Sequence, residues 1–361
     1  MADLHQFMVN VGNELKDKTV GWAVAIYQGT NLVFSDSGGS SVLSPANKMT
    51  SEVRMDVMSM SKTISAAAIV CLLPWKSLTY DSLIAPYFPS SWKQGPNVQH
   101  LTFRMILTHT TGLVPVHEGP DTNSLAYANL KAMIANGVPV SVPATGVYLN
   151  EGYALLRVLL PGVFYSRGAL DSWEAQNPAN FPQVIANLYL NLCKTTVLAD
   201  PSLSQVSVVP TGPLPFTQLY SFQNTAVHRP GGSTTDDLYS GPDHWYVSAR
   251  EYGRFIVDLR QGTYVAGTNC WNTMSQTRTP IPNTPEPAYP GGDVRLGMWR
   301  FVGKHGEYFG HNGLLGFSDG SGSFSGWMAF PDGVTGVLLA NSNHWFPYEQ
   351  EKILMDSYDQ A

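Results

Sequence analysis

The chain has 361 residues, of which 43% are hydrophobic and 13% charged, with a formal net charge of −6. This is the composition of a globular protein, low in surface charge rather than disordered, that can bury a large core as one unit or two domains. No basic excess supplies a nucleic-acid footprint.

Leu4, Phe7, Met8, Val11 and Leu15 recur at helical spacing and predict an amphipathic N-terminal helix. Met1 to Lys18 also carries Asp, His, Asn, Glu and Lys among its apolar residues, so there is no continuous apolar core of a signal peptide. No stretch offers the roughly 18 apolar residues of a membrane span. The expectation is a soluble chain, cytoplasmic by default, with a removed export leader as the alternative. Val20 to Tyr27 and Asn31 to Asp36, joined through Gly29-Thr30, read as a β-hairpin. Gly38-Gly39 and the polar 40s follow as a loop.

Ile64, Ala67, Ala68, Cys71 and Leu72 then fall on one helical face, with Ala66, Ile69 and Val70 opposite; a helix apolar all round is normally buried. Beyond an irregular stretch from Leu78 to Trp92, Leu101 to Leu107 predicts a short helix. Asp121 is a candidate cap for a helix through Ile134. Tyr153 to Leu160 is a further helix, stopped by Pro161-Gly162, and Phe181 to Leu192 another. Pro201 to Asp243 is dense in Pro, Gly, Ser and Thr and reads as a long loop-rich connection. Ser248-Ala249-Arg250-Glu251 is a capping box opening a helix through Leu259, ended by Gly262. Arg295 to Val302, Tyr308 to Gly310, Gly326 to Phe330 and Gly336 to Asn341 are strand-like, with Pro331-Asp332-Gly333 as a turn. The fold expected is α+β of sandwich type: an antiparallel sheet flanked by helices and built from both chain ends (1–80 plus 245–361), with a mainly helical, loop-rich insertion (81–244) and the active site at their interface.

Chemistry concentrates at the mouth of the apolar helix. Ser59 and Lys62 lie three residues apart, neighbours on one helix surface. A lysine at such a place is costly to leave charged and unpaired; either a partner surrounds it or its pKa falls and it becomes a base. Ser-x-x-Lys is weak alone, since Ser90-Ser91-Trp92-Lys93 matches as well, but that copy sits between Pro89 and Gly95-Pro96 as a solvated loop. The cysteines Cys71, Cys193 and Cys270 form neither a CxxC motif nor an even framework. Cys71 is expected as a core thiol, with a Cys193–Cys270 bridge conceivable. The histidines show no metal-ligand spacing, so neither a metal nor a cofactor is expected.

In chain order, Ser59-Met60-Ser61-Lys62, Tyr148-Leu149-Asn150 and His311-Asn312-Gly313 resemble the three motifs of the serine β-lactamase and penicillin-binding-protein superfamily, in its class C, D,D-peptidase and esterase branch. Tyr127-Ala128-Asn129 and Tyr189-Leu190-Asn191 compete for the second motif but fall inside helical segments. Tyr148 is preferred because Pro143-Ala144-Thr145-Gly146 leads into a loop-to-helix element like the family's. Lys304-His305-Gly306 and His117-Glu118-Gly119 compete for the third. Gly310 to Phe317 (GHNGLLGF) resembles the family's GHxGxxxGF strand with one residue fewer between its last two glycines, and Leu101 to Leu113 (LTFRMILTHTTGL) its LTIRHLLTHTSGL element. The resemblance implies an acyl-enzyme on Ser59, with Lys62 and Tyr148 as a coupled base whose division of labour stays open. Asn150 would orient substrate or hold Lys62. The N–H groups of Ser59 and Leu314 would form the oxyanion hole beside Asn312 and Gly313, with His311 lining the pocket. His109 is expected to be structural, and Glu151 a solvated surface residue. His311 stands where penicillin-hydrolysing members carry a lysine, which favours ester, D-amino-acid peptide or amide substrates. Acyl transfer, β-lactam hydrolysis and a catalytically silent scaffold are the alternatives. The implied partner is a small molecule or short peptide.

Overall fold

The structure is a computed structural model that describes residues 2–118, 121–139, 146–210, 216–232, 236–262, 270–278, 293–343 and 350–361. Its centre is an antiparallel ladder in the order Ala46–Lys48, Asn31–Leu43, Gly21–Gln28, Val334–Ala340, Gly322–Ala329, Gly306–Gly316, Met298–Gly303, Asp293–Arg295. The two chain ends meet where Gly21–Gln28 pairs with Val334–Ala340, Ala25 opposite Val337. Side chains alternate across a strand, and both faces of the central strands are covered. Val24, Ile26, Leu338 and Met328 pack under the helices Leu4–Leu15 and Gln350–Asp359, through Phe7, Val11, Leu354 and Tyr358. Ala23, Ala25, Trp327 and Leu339 face the helices Ser61–Leu72 and Ala249–Gln261. Helix, sheet and helix thus form the layered architecture that lets a sheet bury both faces.

Every residue of Ser61–Leu72 is buried. One side of it meets Asn150–Tyr165 and Phe181–Thr196 from the helical middle of the chain. By length and composition the run Met58–Lys76 could cross a membrane, contrary to the expectation that no stretch qualifies; here it is the buried central helix of the fold. Ser248 caps Ala249–Gln261 with the capping box complete, and Glu251 also takes a 2.8 Å hydrogen bond from buried Arg54.

Several local expectations fail for non-local reasons. The polar 40s are not a loop, because Asn31–Leu43 continues and pairs with Ala46–Lys48 as an edge hairpin whose exposure explains its polarity. The helix expected to begin at Asp121 is Tyr127–Asn136; Asp121 instead accepts from the Tyr239 hydroxyl at 2.8 Å. Pro161 does not stop its helix, which spans Asn150–Tyr165. A mid-helix proline costs ~3 kcal/mol, and burial of nearly the whole helix outweighs it. Arg295 to Val302 is a tight hairpin, Asp293–Arg295 against Met298–Gly303, turning at Gly297. Within the stretch read as loop, Gln218–Ser221 is a strand that pairs with the sheet at Gly322 and with Ser342–Asn343, and His228–Pro230 pairs with it in turn. Cys71 is not a free core thiol: it is disulfide-bonded to Cys270, and Cys193 is the free, buried one. Spacing in a chain with an odd cysteine count does not reveal that pairing. Pro143, Ala144, Thr145 and Gly119 lie outside the described residues.

Candidate active site

Ser59 sits in a single 3-10 turn, Met58–Met60, that feeds straight into the buried helix. Three contacts shape this turn. The Asp56 carboxylate accepts the Met58 N–H at 2.7 Å, the Val57 N–H donates to the Trp245 carbonyl at 2.9 Å, and Ser325 Oγ donates to the Val57 carbonyl at 2.9 Å. Met58 is held at φ +49, a conformation non-glycine residues rarely adopt. The strand Gly306–Gly316 runs against the turn so closely that a Cβ on Gly313 would stand 2.4 Å from the Val57 carbonyl oxygen. Glycine at 313 is therefore a condition of strand and turn touching.

Two polar side chains converge on the serine. Lys62 Nζ is 2.8 Å and the Tyr148 hydroxyl 2.9 Å from Ser59 Oγ, though Tyr148 is 89 residues away in sequence. Lys62 is fully buried, 4.9 Å from the Tyr148 ring centroid, and its second acceptor is the Pro242 carbonyl at 3.0 Å. Burial pulls the amine down to about 7, against the opposing charges of Asp243, Glu151 and Asp56. A lysine so placed exists substantially as neutral amine at neutral pH.

His109 positions the tyrosine. Its Nδ1 accepts the Leu149 N–H at 3.1 Å, its carbonyl accepts the Val147 N–H at 3.1 Å, and its ring stacks on Tyr148 at 4.4 Å between centroids. Burial, helped by Lys62 and His311, holds it well below the ordinary histidine range, so it serves as a neutral acceptor. The expected structural role matches this geometry.

Asn150 opens the helix Asn150–Tyr165, and its Oδ1 is buried without a hydrogen-bond partner among the described residues. Lys62 is held by Ser59 and Pro242 instead, so the expected Asn150–Lys62 contact is absent among the described residues. His311 and Asn312 are buried on the Gly306–Gly316 strand, and Leu314 beyond Gly313 is 43% exposed. His311 Nδ1 donates to the Asn312 carbonyl at 2.6 Å; burial first and Lys62 second push it down to about 3, and it is neutral. Glu151 corrects the expectation of a solvated glutamate: it is buried and accepts from the Ser124 hydroxyl. Ser90 is exposed and bonded to Asp171, Tyr127 takes the Trp92 indole N–H at 2.7 Å, and Tyr189 bonds Ser65 at 2.7 Å in the core. Lys304-His305 forms the turn before the His311 strand.

Asp56, Pro242, Asp243 and His244 were not singled out from the sequence. They come from an aperiodic loop and a two-residue strand, and no local pattern signals them.

A sequence model of the Beta-lactamase family matches residues 7–175. The octameric penicillin-binding protein homologue of Pyrococcus abyssi is similar at 16% identity and TM-score 0.71, over 98% of this chain and 75% of that one. The D-stereospecific amidohydrolase of a Streptomyces species gives 16% identity and TM-score 0.71, over 99% and 98% of the two chains. The class C β-lactamase of Rhodobacter sphaeroides gives 15% identity and TM-score 0.70, over 98% and 99%. No curated protein sequence matches. The chain has the fold of the serine β-lactamase and penicillin-binding-protein superfamily.

Proposed function

We propose that this protein is a serine hydrolase that cleaves an ester or amide through an acyl-enzyme on Ser59. The observation that carries the reading is the pair of contacts to Ser59 Oγ, one from a buried amine brought down to about 7 and one from a tyrosine hydroxyl. A serine hydroxyl is a poor nucleophile at neutral pH and needs a base within hydrogen-bond reach. Neutral Lys62, coupled to Tyr148, accepts the Ser59 proton as Oγ attacks the carbonyl carbon. The tetrahedral oxyanion rests on the N–H groups of Ser59 and Leu314, each worth about 10²–10³ in rate. The proton passes to the leaving oxygen or nitrogen, an ester to Ser59 remains, and water resolves it by the reverse relay. Asn150, whose amide oxygen has no partner among the described residues, orients the substrate.

The electrostatics favour substrates without a carboxylate beside the scissile bond. Neutral His311 offers no cation for one, and among the described residues Lys62 is the ionisable group whose charge acts on that ring. Two similar structures are named as a D-stereospecific amidohydrolase and a D-amino acid amidase, which makes D-amino-acid amides a natural second class to test. The test is a panel of p-nitrophenyl esters, D-amino-acid amides, D-Ala-D-Ala peptides and a chromogenic cephalosporin, run on wild type and Ser59→Ala. Turnover of an ester or uncharged amide, lost in the variant and exceeding that of the cephalosporin, is expected. Undiminished turnover by Ser59→Ala would overturn the mechanism.

A further inference from the structure

The segment Gly241–Trp245 runs along the Ser59 helix and contributes backbone contacts at three positions. The Gly241 carbonyl accepts from Ser65 Oγ, the Pro242 carbonyl accepts from Lys62 Nζ at 3.0 Å, and the Trp245 N–H donates to Ser61 Oγ at 3.3 Å. His244 fastens this segment. Its N–H donates to Asp56 Oδ1 at 3.1 Å and its ring Nδ1 lies 3.1 Å from Asp56 Oδ2, while Oδ1 also holds the Met58 N–H. Asp236 stands 3.9 Å from Nδ1 and Asp243 3.3 Å from Nε2. His244 has φ +72, so its backbone is bent into this arrangement.

We propose that His244 is a positioning residue for the Ser59 site: by binding Asp56 to the Gly241–Trp245 segment it fixes both the turn before Ser59 and the Pro242 carbonyl that orients Lys62. The inference rests on the acyl-enzyme reading above. It has an electrostatic consequence. Burial draws the His244 imidazole down, but Asp243, Asp56 and Asp236 outweigh it and push it up to about 10, so it is a cation at neutral pH. Asp243, Glu151 and Asp56 all favour the ammonium form of Lys62. The other groups about Lys62 are the Ser59 hydroxyl and the Tyr148 and Tyr153 rings, with His109 and His311 feeling its charge. Arg157 acts on Asp243 from the helical side, and the Tyr246 hydroxyl donates to Asp236. The His244 cation therefore offsets the carboxylates that would otherwise keep Lys62 protonated.

The test is the pH dependence of the rate at which a fluorophosphonate labels Ser59, which needs no knowledge of the substrate. His244→Asn removes the charge yet tolerates the left-handed backbone. It is expected to move the midpoint of the labelling profile up by roughly half to one pH unit, and to slow labelling at neutral pH. Asp243→Asn removes a carboxylate acting on Lys62 and is expected to move the midpoint down. Shifts of opposite sign separate positioning and charge from general loosening of the fold. A folded His244→Asn variant with an unmoved midpoint, or with slower labelling at an unmoved midpoint, would overturn the proposal. If His244→Asn fails to fold, an unmoved midpoint in Asp243→Asn overturns it. Absence of labelling in wild type would instead strike the acyl-enzyme reading itself.

Discussion

Lys62 can take a proton from Ser59 only as the neutral amine, and burial brings it down to about 7. Below that value the folded protein holds an ammonium ion that cannot accept; above it the amine is free. The labelling rate of Ser59 should therefore climb across neutrality and level off in mild alkali, where an unperturbed lysine would delay the climb to about pH 10. Tyr148→Phe removes the second contact to Oγ and should slow labelling by about 10²–10⁴. The double variant with Lys62→Ala should be little slower than the worse single one, because the groups act as a unit. These residues were legible because each sits in a short motif whose flanks announce helix or turn. Asn150 and His311 were legible as positions but not as contacts: the bond that matters to Lys62 goes to the Pro242 carbonyl, a backbone atom that carries no residue signature. Glu151 was misread because a charged residue at a helix start looks solvated until the Ser124 segment covers it.

Among the elements, two glycines near the site have opposite physical reasons and predict opposite outcomes. A Cβ on Gly313 would meet the Val57 carbonyl at 2.4 Å and Ser325 Oγ at 2.6 Å, both fixed groups. Gly313→Ala should cost about 1–3 kcal/mol through overpacking, and by prising the strand from the Ser59 turn it should also slow labelling. Gly152 lies within the helix Asn150–Tyr165, where a Cβ would find its nearest atom at 3.9 Å. Gly152→Ala should stabilise the protein by about 0.5–1 kcal/mol. Denaturant titration of the two variants checks both signs. The strong local signals at this scale were the period-3.6 faces and the Ser248 capping box, and those elements stand where they were expected. The edge hairpin of the 40s, the helix running through Pro161 and the strands at 218–221 and 228–230 are stabilised by distant partners, so their own residues do not announce them.

Across the whole molecule, the two chain ends share one sheet and the Ser59 helix lies between that sheet and the helical middle of the chain. The division into a sheet unit (1–80 plus 245–361) and a helical unit (81–244) remains a proposal, with the strands at 218–221 and 228–230 crossing toward the sheet from the second. Beyond packing, one covalent tie spans the chain: Cys71 of the Ser59 helix is bonded to Cys270, 199 residues later. A crosslink closing so long a loop typically contributes about 2–4 kcal/mol. Cys270→Ser should lower stability by that amount in denaturant titration, and a reductant should do the same to wild type while leaving the variant unchanged. The antiparallel sheet was legible from strand-like runs and turn residues at both ends, whereas the disulfide depends on a meeting of segments that only the folded chain defines.

The most direct test of the central claim is intact-mass measurement after treatment with a fluorophosphonate, followed by peptide mapping. A single adduct on wild type, located at Ser59 and absent from Ser59→Ala, is the predicted result. An adduct that persists in Ser59→Ala, or one located elsewhere in the chain, would contradict it.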